Sequence, residues 1–182
     1  ATKAFEKFDY SVSLELTEHA FWQFCDHYIE LVKVRAYKEE DLFKKRSALA
    51  TLQESLRLFL RLFAPFLPYV TEEIWSWRFA TGSSIHKQSW PQEEEFDSVE
   101  DTNKTGVLEV AISVLTEIRG AKSKASRNMK HPVEKLEITC SKTFKDRFES
   151  VQSDIYRAGT VLGHEFSDSV DDSVCIDVNL QV

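Results

Sequence analysis

The run Ala20-Phe-Trp-Gln-Phe-Cys-Asp-His-Tyr-Ile-Glu-Leu-Val-Lys-Val-Arg-Ala-Tyr37 decides how the chain folds. With Leu14 ahead of it, Phe21, Phe24, Cys25, Tyr28, Leu31 and Val32 fall on one stripe of a 3.6-residue helix. The stripe is wide and aromatic, so it is expected to bury against at least two other elements. Gln23, Asp26, His27, Glu30 and Lys33 occupy the opposite face, and the helix leaves on Lys33, Arg35 and Lys38. Basic residues in a last turn suit the negative end of the helix dipole. The same end offers cations to a polyanion, and both readings stand.

On the N-terminal side, residues 1–8 read as the tail of a helix with Phe5 and Phe8 facing inward. Asp9-Tyr10-Ser11 is a break that caps the next helix, which runs to about Lys38. Beyond a short acidic connection, a helix from about Asp41 to Phe63 carries Leu49, Leu52, Leu56, Phe59, Leu60 and Phe63 on its apolar stripe, with Arg57 and Arg61 on another face. Pro65 ends it, because proline lacks the donor and clashes with the preceding turn. Pro68 fits the first turn of a short helix to about Trp77, made strongly apolar by Ile74, Trp75 and Trp77. Thr81 to Ser84 is loop chemistry, and Ser84 to Pro91 reads as extended, with Ile85 and Trp90 packing back.

The acidic segment 92–103, anchored by Phe96 and Val99, is the expected boundary between two subdomains. A helix from about Asn103 to Asn128 follows, with Leu108, Ala111, Leu115, Ile118 and Ala125 as its buried stripe. Gly120 inside it costs up to about 1 kcal/mol relative to alanine, which marks close packing. After Pro132 the period changes to two. Leu136, Ile138 and Cys140 form a strand, Phe144 to Ile155 a helix stopped by Gly159 as its cap, Val161 to Phe166 a second strand and Val174 to Leu180 a third. The expected fold is therefore mainly α: an antiparallel helix bundle over 1–91, an acidic linker over 92–103, and a long helix plus a small α+β subdomain of about three strands over 104–182.

No apolar run approaches the roughly 20 residues of a membrane span. Cys25, Cys140 and Cys175 lack paired spacing and read as reduced, buried thiols of a cytoplasmic protein. The chain opens on Ala1, directly in helix-like sequence, and reads as a piece of a longer protein. A net charge of −7 argues weakly against nucleic acid, but the charges are segregated. Glu93, Glu94, Glu95, Asp97, Glu100 and Asp101 crowd the linker, whereas Arg119, Lys122, Lys124, Arg127 and Lys130 share a stretch without acids. Lys33, Arg35, Lys38, Lys44, Lys45 and Arg46 outnumber the three acids among them. Such runs are either solvated faces or polyanion contacts.

Five scattered glycines exclude a phosphate-cradling loop. The five histidines show no ligand spacing, and Cys25, Asp26 and His27 point about 100° apart on a helix, so no metal is expected. Glu72-Glu73 fails as a catalytic pair for the same reason, and no catalytic residue is assigned. What remains is surface chemistry: cations beside the small Gly120, Ala121, Ser123, Ala125 and Ser126. Trp22, Tyr37 and His86 either pack in the core or stack on unpaired bases.

Three segments carry matches that periodicity does not explain. Phe21-Trp22-Gln-Phe24-Cys25-Asp26-His-Tyr28-Ile-Glu30-Leu31-Val32-Lys33-Val-Arg35-Ala36-Tyr37 resembles the bundle helix of valyl-tRNA synthetases. Ala64-Pro65-Phe66-Leu67-Pro68-Tyr69-Val70-Thr71-Glu72-Glu73-Ile74-Trp75 is similar to the segment that bends one bundle helix into the next, and Ser84-Ile85-His86 through Trp90-Pro91 to the one after it. The resemblance extends over nearly the whole chain. It implies the anticodon-binding domain of a class I synthetase, with tRNA, through its anticodon stem-loop, as partner. The catalytic part, with ATP and Mg, and the editing part would lie elsewhere in the protein, and no cofactor is expected in this chain. Ala121 to Ser126 only superficially resembles the family's KMSKS signature and is not read as one. Charge placement, not matched family contacts, nominates Trp22, Lys33, Arg35, Lys38, Lys44, Lys45, Arg46, Arg119, Lys122, Lys124, Arg127 and Lys130 as tRNA-binding. The alternatives are the same domain from an isoleucyl or leucyl enzyme, and a helical protein-interaction scaffold without catalysis.

Overall fold

Asp9 ends one helix and begins another. Its carboxylate accepts the Val12 N–H at 3.3 Å, so α1 (Thr2–Glu6) gives way to α2 (Tyr10–Gln23). This computed structural model describes residues 1–79, 82–96, 106–169 and 173–181. The chain divides into two units, Ala1–Ile29 with Glu40–Glu100, and Glu30–Glu39 with Asp101–Val182. It is mainly α, a helix bundle followed by a small α+β subdomain, as the two periodicities predict.

The helix expected to reach Lys38 is continuous but not uniform. Its middle, Phe24–Ile29, is π-helical, and α3 (Glu30–Lys38) resumes the α form as part of the second unit. In the first unit, Phe21 meets Phe59 and Phe63 of α4 (Leu42–Phe63) edge-on at 5.3 and 5.4 Å. Asp41 caps α4 by accepting the Phe43 N–H at 2.9 Å. Leu49 and Leu56, expected on the buried stripe, are exposed, while Ala48, Phe59 and Leu60 are buried.

Arg61, expected on a face away from the apolar stripe, is buried as well. Its guanidinium donates to Glu95 Oε1 at 3.1 Å and Oε2 at 2.7 Å. That hydrogen bond, with one from the Gln92 N–H, holds the Glu95 carboxyl below the usual carboxylate range. After the prolines, α5 (Pro68–Arg78) packs Trp75 on Leu60, Ala64 and Ile85. Trp77 stays exposed. Residues 84–91 do pack back, with Ile85 buried and Trp90 stacked on Phe5 at 4.6 Å. They are not extended throughout, because Ile85–Lys87 forms a 3-10 turn capped by Ser84. Phe8 does not face inward; it sits exposed at φ 61°. Val99, the Phe96 side chain and the linker from 97 to 103 lie outside the described residues.

In the second unit, α6 (Val107–Lys124) ends short of the expected Asn128 and buries Val110, Ala111, Val114, Leu115 and Ile118. Leu108 and Ala125 are exposed instead. β1 (Val133–Cys140) is the central strand, α7 (Lys142–Gly159) follows it, and β2 (His164–Asp168) and β3 (Cys175–Leu180) flank it. β1 runs parallel to β2, with Ile138 opposite Phe166, and antiparallel to β3, with Ile138 opposite Ile176. The parallel pair needs the crossover that α7 supplies.

Two glycine assignments change. Outside its own helix backbone and chain neighbours, no atom of the described residues lies within 4 Å of a Cβ placed on Gly120, so it marks no close packing, whereas one on Gly159 would sit 2.9 Å from Ile118 Cδ1 and 3.1 Å from Val161 Cγ2. The left-handed cap of α7 is Thr160, at φ 55°, not Gly159. Of the cysteines only Cys140 is buried; Cys25 is half-buried and Cys175 exposed.

The two glycines are expected to respond oppositely. Gly120→Ala raises stability by up to about 1 kcal/mol, and Gly159→Val lowers it by about 1–3 kcal/mol, as urea unfolding will measure. His164 supplies a pH dependence. It lies between Phe148 and Phe166, with ring centroids at 5.0 and 4.7 Å, and meets the Tyr156 hydroxyl. Burial pushes its pKa below the ordinary value of 6.5. The unfolded chain therefore takes up the proton first as pH falls. Stability is full above pH 6.5 and declines as the pH passes down through the folded value. Melting temperatures at about pH 7.5 and pH 5 should show this decline, and His164→Gln should reduce it.

Candidate nucleic-acid interface

The nominated side chains separate into those already engaged within the protein and those facing solvent. On α3, Lys33 is paired with Glu30. Arg35 donates to the buried Asp154 of α7 at 3.1 Å, and nearby Arg157 reaches Glu39. Glu39 holds the Arg157 guanidinium pKa above its ordinary value. Arg35 thus fastens α3 to α7 within the second unit. Lys38 is exposed at the end of α3, as is Tyr37.

Along the first turns of α4, Lys44 and Arg46 are exposed and Lys45 is half-buried. Among the described residues none of the three has an ion-pair partner. Leu42 and Phe43 stand beside them, with Phe43 82% exposed. Phe43 was not nominated from the sequence, although the run Leu42-Phe43-Lys44-Lys45-Arg46 sets an aromatic ring directly before three cations. An exposed ring next to unpaired cations provides a stacking face together with phosphate contacts. Trp22 is 58% exposed and touches Phe21 edge-on at 5.5 Å. His86 is exposed, with Nε2 3.2 Å from the Pro68 carbonyl.

The second cationic group surrounds the end of α6. Lys124, Arg127 and Lys130 are exposed and Arg119 is half-buried. Lys122 does not join them. It is 1% exposed, and its Nζ donates to Met129 O at 2.8 Å and Gly159 O at 2.7 Å. Burial pushes its pKa down. A side chain so enclosed does not reach a phosphate, so Lys122 leaves the set of contact residues. Among the described residues, no group of three or more His, Cys, Asp or Glu side chains is arranged to hold a metal. Among them too, no helix is long and apolar enough to cross a membrane.

A family model for the anticodon-binding domain of tRNA ligase matches residues 1–138. The chain belongs to that family. The match to this anticodon-binding domain runs from α1 into β1. Similarity to individual proteins reaches further. Valine–tRNA ligase of Thermobifida fusca is 39% identical over 180 residues, 99% of this chain and 20% of that protein. Those of Salinispora arenicola and Cutibacterium acnes are 43% identical over 176 residues and 41% over 157. The chain spans about a fifth of the length of these curated relatives.

The two α3 cations predict different responses. Asp154→Ala leaves Arg35 without its buried partner and should cost up to about 3 kcal/mol. Lys33→Ala removes an exposed pair and should cost under about 1 kcal/mol. Chemical denaturation of the two variants separates an anchoring cation from a surface one.

Proposed function

We propose that this anticodon-binding domain recognises the anticodon stem-loop of a valine tRNA. The protein it belongs to would join valine to that tRNA in the cytoplasm, using ATP with Mg held by its catalytic part. The observation that carries the reading is the set of solvent-facing cations without ion-pair partners among the described residues: Lys44 and Arg46 on α4, Lys124 at the end of α6, and Arg127 and Lys130 beyond it. Their positive charge would release counterions from a phosphate backbone despite the net negative charge of the chain. Phe43, Trp22 and Tyr37 offer ring faces to unpaired bases, which is how single-stranded RNA is read. Phosphate contacts set the affinity and stacked bases the selectivity.

The rest of the synthetase is the second partner. The outer side of α5 supports this, with Tyr69 90% and Trp77 72% exposed beside Leu67 and Val70. An apolar face of that kind suits a protein surface.

Binding of the chain to tRNA bearing a valine anticodon, and to the same tRNA with the anticodon changed, tests the proposal. Tighter binding to the first is expected, with affinity for both falling steeply between about 50 and 200 mM salt. Lys44→Ala and Arg127→Ala should each lower the salt slope by about one. Equal binding to both tRNAs would reduce the surface to a generic cationic one, and salt-insensitive capture of protein without tRNA would overturn the reading.

A further inference from the structure

Lys122 is a buried ammonium without an ion-pair partner among the described residues. A lone charge in the core is costly unless fixed dipoles replace its water. Here two carbonyls do so. Gly159 O belongs to the last turn of α7, where carbonyls lack intrahelical donors and the helix dipole is negative. Met129 O belongs to the loop between α6 and β1.

The same residue holds that loop a second time. Its own carbonyl accepts the Arg127 N–H at 2.8 Å. Just before these two anchors the chain turns through Ser126, at φ 53°, a left-handed conformation that costs a side-chain-bearing residue energy. Asn128 continues the turn by accepting the Lys130 N–H on its side chain and the His131 N–H on its carbonyl, at 2.9 and 2.8 Å. Arg127 and Lys130 project from this tied loop into solvent, next to Lys124 at the end of α6.

We propose that Lys122 is a positioning residue for RNA contact, its amine tying the α6–β1 loop to the end of α7 so that Arg127 and Lys130 are held as one rigid cationic group beside Lys124 at the end of α6. The inference rests on the tRNA-binding reading above. A cationic group already fixed in place loses less conformational entropy when phosphates arrive. Lys122 itself touches no RNA.

Amide exchange and tRNA titration in the full chain test this together. In the unaltered chain, the Arg127 and His131 amides should be protected like those of the α6 core. Exchange of both at the rate of an exposed loop would overturn the proposal without any variant. In Lys122→Met, α6 and β1 should stay protected while those two amides open. Affinity for tRNA bearing a valine anticodon should drop to that of Arg127→Ala/Lys130→Ala, with a salt slope lower by about two. Adding Lys122→Met to that double variant should change nothing more, because the loop has no cations left to position. An unchanged affinity in Lys122→Met, or an additive loss in the triple variant, marks a merely structural lysine and overturns the inference. Absence of tRNA binding by the unaltered chain would instead defeat the functional reading, leaving amide exchange to decide whether Lys122 holds the loop.

Discussion

The helical unit rests on one aromatic seam. Phe21 and Phe24 of a single helical stretch press on Phe59, and Phe21 also meets Phe63 one turn further along α4. Edge-on rings of this kind add to the area they bury. Beyond the seam, Leu60, Ala64, Trp75 and Ile85 form a buried cluster, with Ile74 and Phe79 packed against it. Much of the remaining apolar surface on α2, α4 and α5 faces solvent. Apolar surface of this kind suits a module that works against other surfaces.

The sequence made the order of elements legible because each periodic run is long enough to outweigh local exceptions. Leu136, Ile138 and Cys140 alternate with polar neighbours, and β1 buries all three. The change at Pro132 was therefore a reliable sign of the sheet. What spacing could not supply was which of several leucines on a helix would find a neighbour. Leu49 and Leu56 fit the α4 stripe as well as Phe59 does, yet only Phe59 lies opposite Phe21. The π-helical turn at Phe24–Ile29 was equally hidden, since the same residues satisfy an α-helical stripe on paper.

The interface was harder to read than the fold, because a cation has the same letter whether it faces water or the core. Lys122 lies in a basic run, and its letter points to the surface. Its position says otherwise: seven after Leu115 and four after Ile118, it falls on the stripe that α6 buries. Arg61 repeats the case on α4, immediately after the buried Phe59 and Leu60. Helical phase carried information that charge counting discarded. Phe43 shows the converse, a ring assigned to no stripe that stands in solvent beside Lys44 and Arg46.

The placement of α3 has a consequence during synthesis. Leu31, Val32 and Ala36 are buried in a unit whose other members come much later, and Glu39 waits for Arg157, 118 positions downstream. At about 5–20 residues per second, a ribosome needs roughly 6–24 s to deliver that partner. For that interval the nascent chain carries an uncovered apolar helix face between finished bundle helices, a natural foothold for a chaperone.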